Sequence, residues 1–305
     1  MERDNFKKIL QENEYGFLPE KPKKVYSELL SEDKRFCAGK AVLRRYLLKA
    51  QTFSGVVQFP FTTVSVPNQR RRTVICINFF SEVPNKYLPA EEIIDRGWNI
   101  VNVNYQDITC DSRELDDNAK VLGKTGKISM WAWGCMRVLD ALSDFDDSDL
   151  QKTGIAGHSR LGKTALLTGA LDQRFAFVHS NDSGSGGAGL FSMRNEKSEP
   201  ISALIDRFSY WFCDKFVQFV DQEKHLPFDQ DMLLSLIAPR FLSVASAELD
   251  LWANPEAERV CVEKAKLFWN KQGKGDDVQY YLRKGLHYFS REDWNRLLDF
   301  LEEKI

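Results

Sequence analysis

The stretch Ile155-Ala156-Gly157-His158-Ser159-Arg160-Leu161-Gly162-Lys163-Thr164 constrains this chain more than any other. An apolar run leads into a glycine and a helix-forming run leads out, so the segment reads as strand, tight turn and helix. Two chemistries are written over the same residues. As Gly-x-Ser before a small-residue turn, it is a nucleophile elbow that exposes the hydroxyl of Ser159 to substrate. As Gly157-x-x-x-x-Gly162-Lys163-Thr164, it satisfies the pattern of a phosphate-cradling P-loop. The rest of the chain has to decide between them.

Short apolar runs typical of strands buried on both faces surround this segment: Thr73–Phe80, Asn99–Val103, Thr153–Ala156, Phe175–Ser180, Phe241–Ala245 and Val278–Leu282. Helical patterns fall between most of them, over Ser129–Leu142, Lys163–Leu171, Glu256–Phe268 and Arg291–Ile305, the last with Ser290 as its N-cap. Upstream, Val56–Phe59 and Thr62–Val66 flank Pro60-Phe61 and read as antiparallel edge strands. Residues 1–35 are charged and helix-leaning, and residues 1–40 read as a helical or extended lead-in. The expected fold is α/β: a mostly parallel mixed sheet with helices on both faces, a three-layer αβα sandwich. With neither an internal repeat nor a strong linker, residues 1–305 are expected to form a single domain.

Composition narrows the class of partner. A formal charge of -2 argues against nucleic acid or an anionic membrane surface as the main partner. The N-terminus has no apolar signal core and no run approaches membrane-spanning length, which points to a cytoplasmic chain, or a secreted one if a leader lies upstream. The six cysteines stand far apart without a C-x-x-C pair, so neither a metal ligand set nor a redox motif is expected.

The two readings of the elbow make different demands on the rest of the chain. A P-loop enzyme needs an acidic residue closing a second apolar strand to hold magnesium. Asp107 follows Val101-Asn102-Val103-Asn104-Tyr105, but that run is interrupted by polar residues. A serine hydrolase needs an acid and then a histidine later in the chain. His287 lies just past the last strand, where a loop can carry its imidazole over the C-terminal edge of the sheet. Asp250 follows the strand Phe241–Ala245, and Asp182 follows the strand before it. Either can orient His287, and the choice stays open at this level.

These segments together resemble the glucuronoyl esterases, a carbohydrate-esterase family, particularly its bacterial members. The likeness runs through Gly157–Leu166, Ser180–Ala188, Tyr210–Cys213, Leu226–Gln230, Ile237–Arg240, Ala245–Ala253 and His287, and covers about residues 70–300. It implies an α/β-hydrolase fold and a cofactor-free hydrolysis of carboxylic esters, with (4-O-methyl-)glucuronoyl esters of xylan as substrate class. A carbohydrate acetyl esterase acting on xylo-oligosaccharides is the second reading, and a nucleotide-binding P-loop protein the third. By the resemblance, Ser159 is the nucleophile, His287 its general base, and Arg160 the side chain that meets the oxyanion. Lys163 is implied to bond sugar hydroxyls, Trp252 to face the pyranose ring, and Glu196 to stand near the family's sugar-binding glutamate. The family often has a glutamate at the position of Asp182, and the segment Asp107–Lys127 is short for a cleft-walling loop, which implies an open site.

Overall fold

The apolar runs pair into one nine-stranded sheet. A computed structural model of the chain describes residues 2–302 and 304–305. The strands are β1 (Lys24–Asp33), β2 (Val42–Gln51), β3 (Val56–Ser65), β4 (Arg71–Asn78), β5 (Trp98–Asn104), β6 (Ser148–His158), β7 (Phe177–Asn181), β8 (Phe241–Ala247) and β9 (Val278–Arg283). Their order across the sheet is β1-β2-β3-β5-β4-β6-β7-β8-β9. The first three strands and the β3–β5 junction are antiparallel, and everything from β5 to β9 is parallel.

The helices are α1 (Glu2–Leu10), α2 (Ala90–Asp95), α3 (Tyr105–Ile108), α4 (Asp117–Leu122), α5 (Lys127–Ala141), α6 (Arg160–Leu171), α7 (Ile201–Phe208), α8 (Gln230–Ser235), α9 (Pro255–Asn270) and α10 (Arg291–Glu302). The period-two alternation of the strands divides the sheet's side chains between two cores. Ile75, Ile77, Val101, Val103 and Ile155 join the buried faces of α5, α6, α8 and α9. Val74, Cys76, Ile100 and Ala156 turn the other way, onto Ile93 and Ile94 of α2 and Trp294, Leu297 and Leu298 of α10. The result is the α/β-hydrolase fold, with helices on both faces of a mostly parallel sheet. Ser290 starts α10 with its Oγ accepting from the Asp293 N–H, while Asp293 Oδ2 accepts from the Ser290 N–H, a reciprocal cap.

Two expectations need correcting. The segment read as helix-leaning contains α1 and a π-turn over Gln11–Tyr15, but then forms β1 at the sheet edge. Its charges misled, because strand residues on an exposed edge need no apolar alternation; Glu28 and Glu32 pair across the ladder with Lys49 and Arg44. The strand pattern also runs straight through Pro60, which lies opposite Leu47 in a continuous β3. Proline's missing donor is tolerated there because pairing with β5 begins only at Thr62, and on that side Gln58 already bonds the side chain of Asn118.

Candidate active site

In a parallel sheet, ligands meet the carboxyl ends of the strands, and Ser159, Arg160, Asp182, Asp250 and His287 all follow the carboxyl ends of strands β6 to β9. At the end of β6, Ser159 adopts φ 59° and ψ -128°, a left-handed conformation that non-glycine residues rarely accept. It survives because the surroundings dictate it. The Ser159 N–H donates to the Asn181 carbonyl at 2.8 Å, and its carbonyl accepts from the Gly162 and Lys163 N–H groups of α6. The glycines of the motif serve this turn. A Cβ on Gly157 would stand 2.1 Å from the Leu161 carbonyl oxygen, and one on Gly162 would stand 2.9 Å from Ser180 Oγ.

Those glycine contacts remove the basis for a phosphate cradle. The helix begins directly at Arg160, and the Gly162 and Lys163 N–H groups that a phosphate would need are spent on the Ser159 carbonyl. Lys163 is buried, with its ammonium donating to the carbonyls of Ser183 at 2.5 Å and Ser185 at 2.6 Å. Thr164 Oγ1 bonds back to the Arg160 carbonyl within the helix. The P-loop pattern is a coincidence of packing requirements.

The two candidate carboxylates differ in what they touch. His287 Nδ1 lies 2.5 Å from Asp250 Oδ2, with Asp250 buried and the imidazole 44% exposed at the mouth. The rings of His287 and His158 stand 4.5 Å apart, which brings His287 against the residue preceding Ser159. His158 itself is buried and bonded to Asn181 Oδ1 at 2.6 Å. Burial, with the nearby charge of His287, lowers its pKa to about 3, so it stays neutral and does not compete for the proton.

Asp182, the alternative acid, is occupied elsewhere. Its Oδ1 accepts from the Ala247 N–H at 2.6 Å, and its Oδ2 from Arg283 at 3.1 Å and the Tyr288 N–H at 3.3 Å. Burial and the charges of Glu258 and Asp250 push its carboxyl up, while Arg283 and the Ala247 N–H pull it back. Arg283 in turn grips both oxygens of Asp293 at 2.9 and 3.0 Å. It also donates to the carbonyls of Lys284, Leu286 and Tyr288, on both sides of His287. Asp182 therefore shapes the histidine loop through Arg283 and Tyr288 and makes no contact with the imidazole nitrogen that Asp250 holds.

Arg160, the first residue of α6, donates from Nη1 to Asp111 Oδ2, and its guanidinium packs 4.7 Å from the Trp211 ring and 5.3 Å from Phe208. Trp252 presents an exposed indole after β8, and its carbonyl accepts from the Glu199 N–H at 3.0 Å. Glu196 is exposed on a turn, away from these contacts. The carboxylate beside the site is Glu199, three residues on. Its backbone ties it to Trp252 and to Ser185 Oγ, and its charge is the largest raising influence on the Lys163 ammonium, which burial lowers. Spacing alone could not find it, because the turn over residues 194–198 sets where the chain re-enters the cleft.

Sequence reasoning also missed Glu258, buried on α9, whose carboxylate accepts from the Gly184 N–H at 2.8 Å and from Ser183 and Ser246. Its position on the apolar face of an otherwise amphipathic helix was the only clue. Among the described residues, the one group of three metal-type donors is Asp182, Asp250 and His287, within 4.8 Å of one another. Within it, Asp250 Oδ2 bonds His287 Nδ1, and both oxygens of Asp182 accept from N–H donors. The described cysteines are free thiols, and among the described residues no helix is long and apolar enough to cross a membrane.

Comparison with known proteins agrees with this geometry. A family model described as glucuronyl esterase, fungi, matches residues 51–273. A carbohydrate esterase from an unknown prokaryotic organism is 33% identical over 241 residues, covering 70% of this chain and 55% of its own length. A 4-O-methyl-glucuronoyl methylesterase of Hypocrea jecorina is 33% identical over 163 residues, 51% of this chain and 35% of its own. The chain thus spans about half or less of these relatives. Among solved structures, a glucuronoyl esterase from Solibacter usitatus superposes with a TM-score of 0.89 at 28% identity, covering 98% of this chain and 91% of that one. With a matching family model over most of its length, the chain belongs to the glucuronoyl esterase family.

Proposed function

We propose that this chain hydrolyses carboxylic esters of glucuronic acid, of the kind borne by xylan, with Ser159 as nucleophile. The observation that carries this reading is the 2.5 Å contact between His287 and Asp250 at the mouth of a strained serine elbow. In this reading Ser159 Oγ attacks the ester carbonyl as His287 takes its proton, and Asp250 holds the imidazole in orientation and balances its charge. The tetrahedral oxyanion is met by Arg160 and by the N–H groups that open α6. His287 returns the proton to the departing alcohol, and water repeats the sequence on the acyl-enzyme.

The sugar lies against Trp252, with Lys163 and Glu199 on its hydroxyls. Lys163 uses two of its three N–H donors on carbonyls, leaving one for a ligand. Support for a uronate comes from the family. A glucuronoyl esterase of Sporotrichum thermophile, with a TM-score of 0.77 and 23% identity, has been solved in complex with methyl 4-O-methyl-beta-D-glucopyranuronate.

The test is hydrolysis of a benzyl or methyl glucuronate ester beside an aryl acetate, by the wild type and by Ser159→Ala. Serine-dependent turnover of the uronate ester, well above the acetate, is the expected result. Serine-dependent cleavage of acetate alone would move the substrate to acetylated sugars, and no turnover of either would overturn the reading.

A further inference from the structure

The oxyanion role given to Arg160 leaves a physical question: what holds a long, flexible cation in place before substrate arrives? The side chain is a quarter exposed, and its Nε is buried without an acceptor. One end of the guanidinium is anchored. Nη1 donates to Asp111, a residue of the short loop between α3 and α4 that no sequence pattern marks.

Asp111 is built in far more firmly than a surface ion-pair partner. Its side chain is 8% exposed. Its Oδ2 also accepts from Tyr105 Oη at 2.8 Å, and its Oδ1 accepts from Trp211 Nε1 at 2.7 Å. The Tyr210 hydroxyl stands 3.2 Å from the same Oδ1 and 3.1 Å from the backbone carbonyl. A carboxylate offers about four acceptor sites, and four donors from three separate segments fill them. Burial, with the Asp111 charge adding to it, pushes both phenols up, Tyr210 to about 12, so they remain donors at any working pH. Trp211 has two roles, donating its N–H to Asp111 while its ring packs on the guanidinium.

We propose that Asp111 is a positioning residue for ester hydrolysis: it clamps Nη1 of Arg160 so that the Nε edge, desolvated and unpaired at rest, is kept for the oxyanion. This rests on the ester-hydrolase reading of the site. The physics favours such an arrangement. A buried donor without a partner carries a desolvation cost. If that cost is relieved only when negative oxygen forms, the relief lowers the barrier rather than tightening ground-state binding. The donor shell around Asp111 spreads its charge, so the anchor fixes the guanidinium without fully cancelling its field.

The experiment is a double-mutant cycle on the full chain with benzyl glucuronate as substrate. Asp111→Asn keeps the shape and removes the charge. It is expected to lower kcat by roughly 10- to 100-fold with KM changed less than about 3-fold, since one donor aimed at an oxyanion is worth roughly 100-fold or more. In an Arg160→Ala background the same substitution is expected to cost less than about 2-fold, because residues that act through one another are non-additive. A purely structural role would carry the full loss into both backgrounds, and that result overturns the proposal, as does unchanged or raised kcat in Asp111→Asn. If Asp111→Asn does not fold, Trp211→Phe removes one donor to Asp111 while keeping an aromatic ring, and the same cycle is read on it. Loss of Ser159 dependence would sink the hydrolase reading itself. Intact dependence on Ser159 and Arg160 without coupling to Asp111 sinks only this inference.

Discussion

Replacing Asp250 by Asn removes the negative charge that stands 2.5 Å from His287 Nδ1 while keeping an oxygen able to accept its proton. The cost falls on the step where His287 becomes cationic. Two unit charges about 4 Å apart at an effective dielectric of about 20 interact by about 4 kcal/mol. His287 is 44% exposed, so solvent screens part of this, leaving about 2–4 kcal/mol. At about 1.4 kcal/mol per tenfold, kcat should fall roughly 30- to 1,000-fold. Thermal stability should change little, because Asn keeps the shape of the side chain and an oxygen for His287, whose imidazole is itself exposed. Asp182→Asn should behave in the opposite way. Its carboxyl accepts from Ala247, Tyr288 and Arg283 in the interior; Arg283 keeps Asp293 as its partner, so the cost is that of disrupted buried hydrogen bonds, about 1–3 kcal/mol. It should lower the melting temperature markedly while reducing kcat less than about 10-fold at a temperature where the variant is folded. Turnover of a benzyl glucuronate ester and thermal denaturation of both variants decide the matter. Equal losses of kcat, or a larger loss in Asp182→Asn without destabilisation, would refute the assignment of the acid.

Ser159→Gly should abolish turnover and yet raise stability by about 1 kcal/mol, since glycine relieves the positive φ of the elbow; unfolding in urea reads this, and a less stable variant would refute stored strain. Gly157→Ala should destabilise by about 3 kcal/mol or prevent folding, because its Cβ meets the Leu161 carbonyl at 2.1 Å; a wild-type melting temperature would contradict the close approach. Burial raises the Glu14 carboxyl from 4.5 to about 8, so the folded state keeps a proton that the unfolded chain gives up. Stability should therefore decline as pH rises between these values, by about 1.4 kcal/mol per unit from this group, and Glu14→Gln should flatten the slope of unfolding free energy between pH 5 and 8; an unchanged slope would refute it. Trp252→Ala should raise KM for the uronate ester several-fold with kcat within about 3-fold, as loss of an apolar sugar platform removes uniform binding; a selective loss of kcat would place Trp252 in the reacting geometry instead.

Much of this molecule was legible before its structure. The parallel strands were readable because strands buried on both faces must be apolar at every position, as Val74-Ile75-Cys76-Ile77 is. The placement of Ser159 and His287 at the carboxyl edge of the sheet was readable because a tight strand-to-helix turn needs glycine at a close approach and the chain after the last strand must loop over that edge. The charged edge strand β1 was not, since one face of an edge needs no apolar residues and its cross-strand ion pairs are invisible in one dimension.

What only the tertiary structure decided is which charges meet. Asp182 and Asp250 each follow a strand and carry the same local signature, but the fold turns one toward Arg283 and the other toward His287. Glu199 rather than Glu196 reaches the side of Trp252 because a turn resets the chain there, and Asp111 reaches Arg160 from a loop with no pattern at all. Hydrophobic periodicity is a local property, written wherever a strand or helix must bury a face. The partners of a polar side chain are set by contacts between residues 37 to 101 positions apart, as in His287–Asp250 and Arg283–Asp182, and no local pattern encodes a choice made at that range.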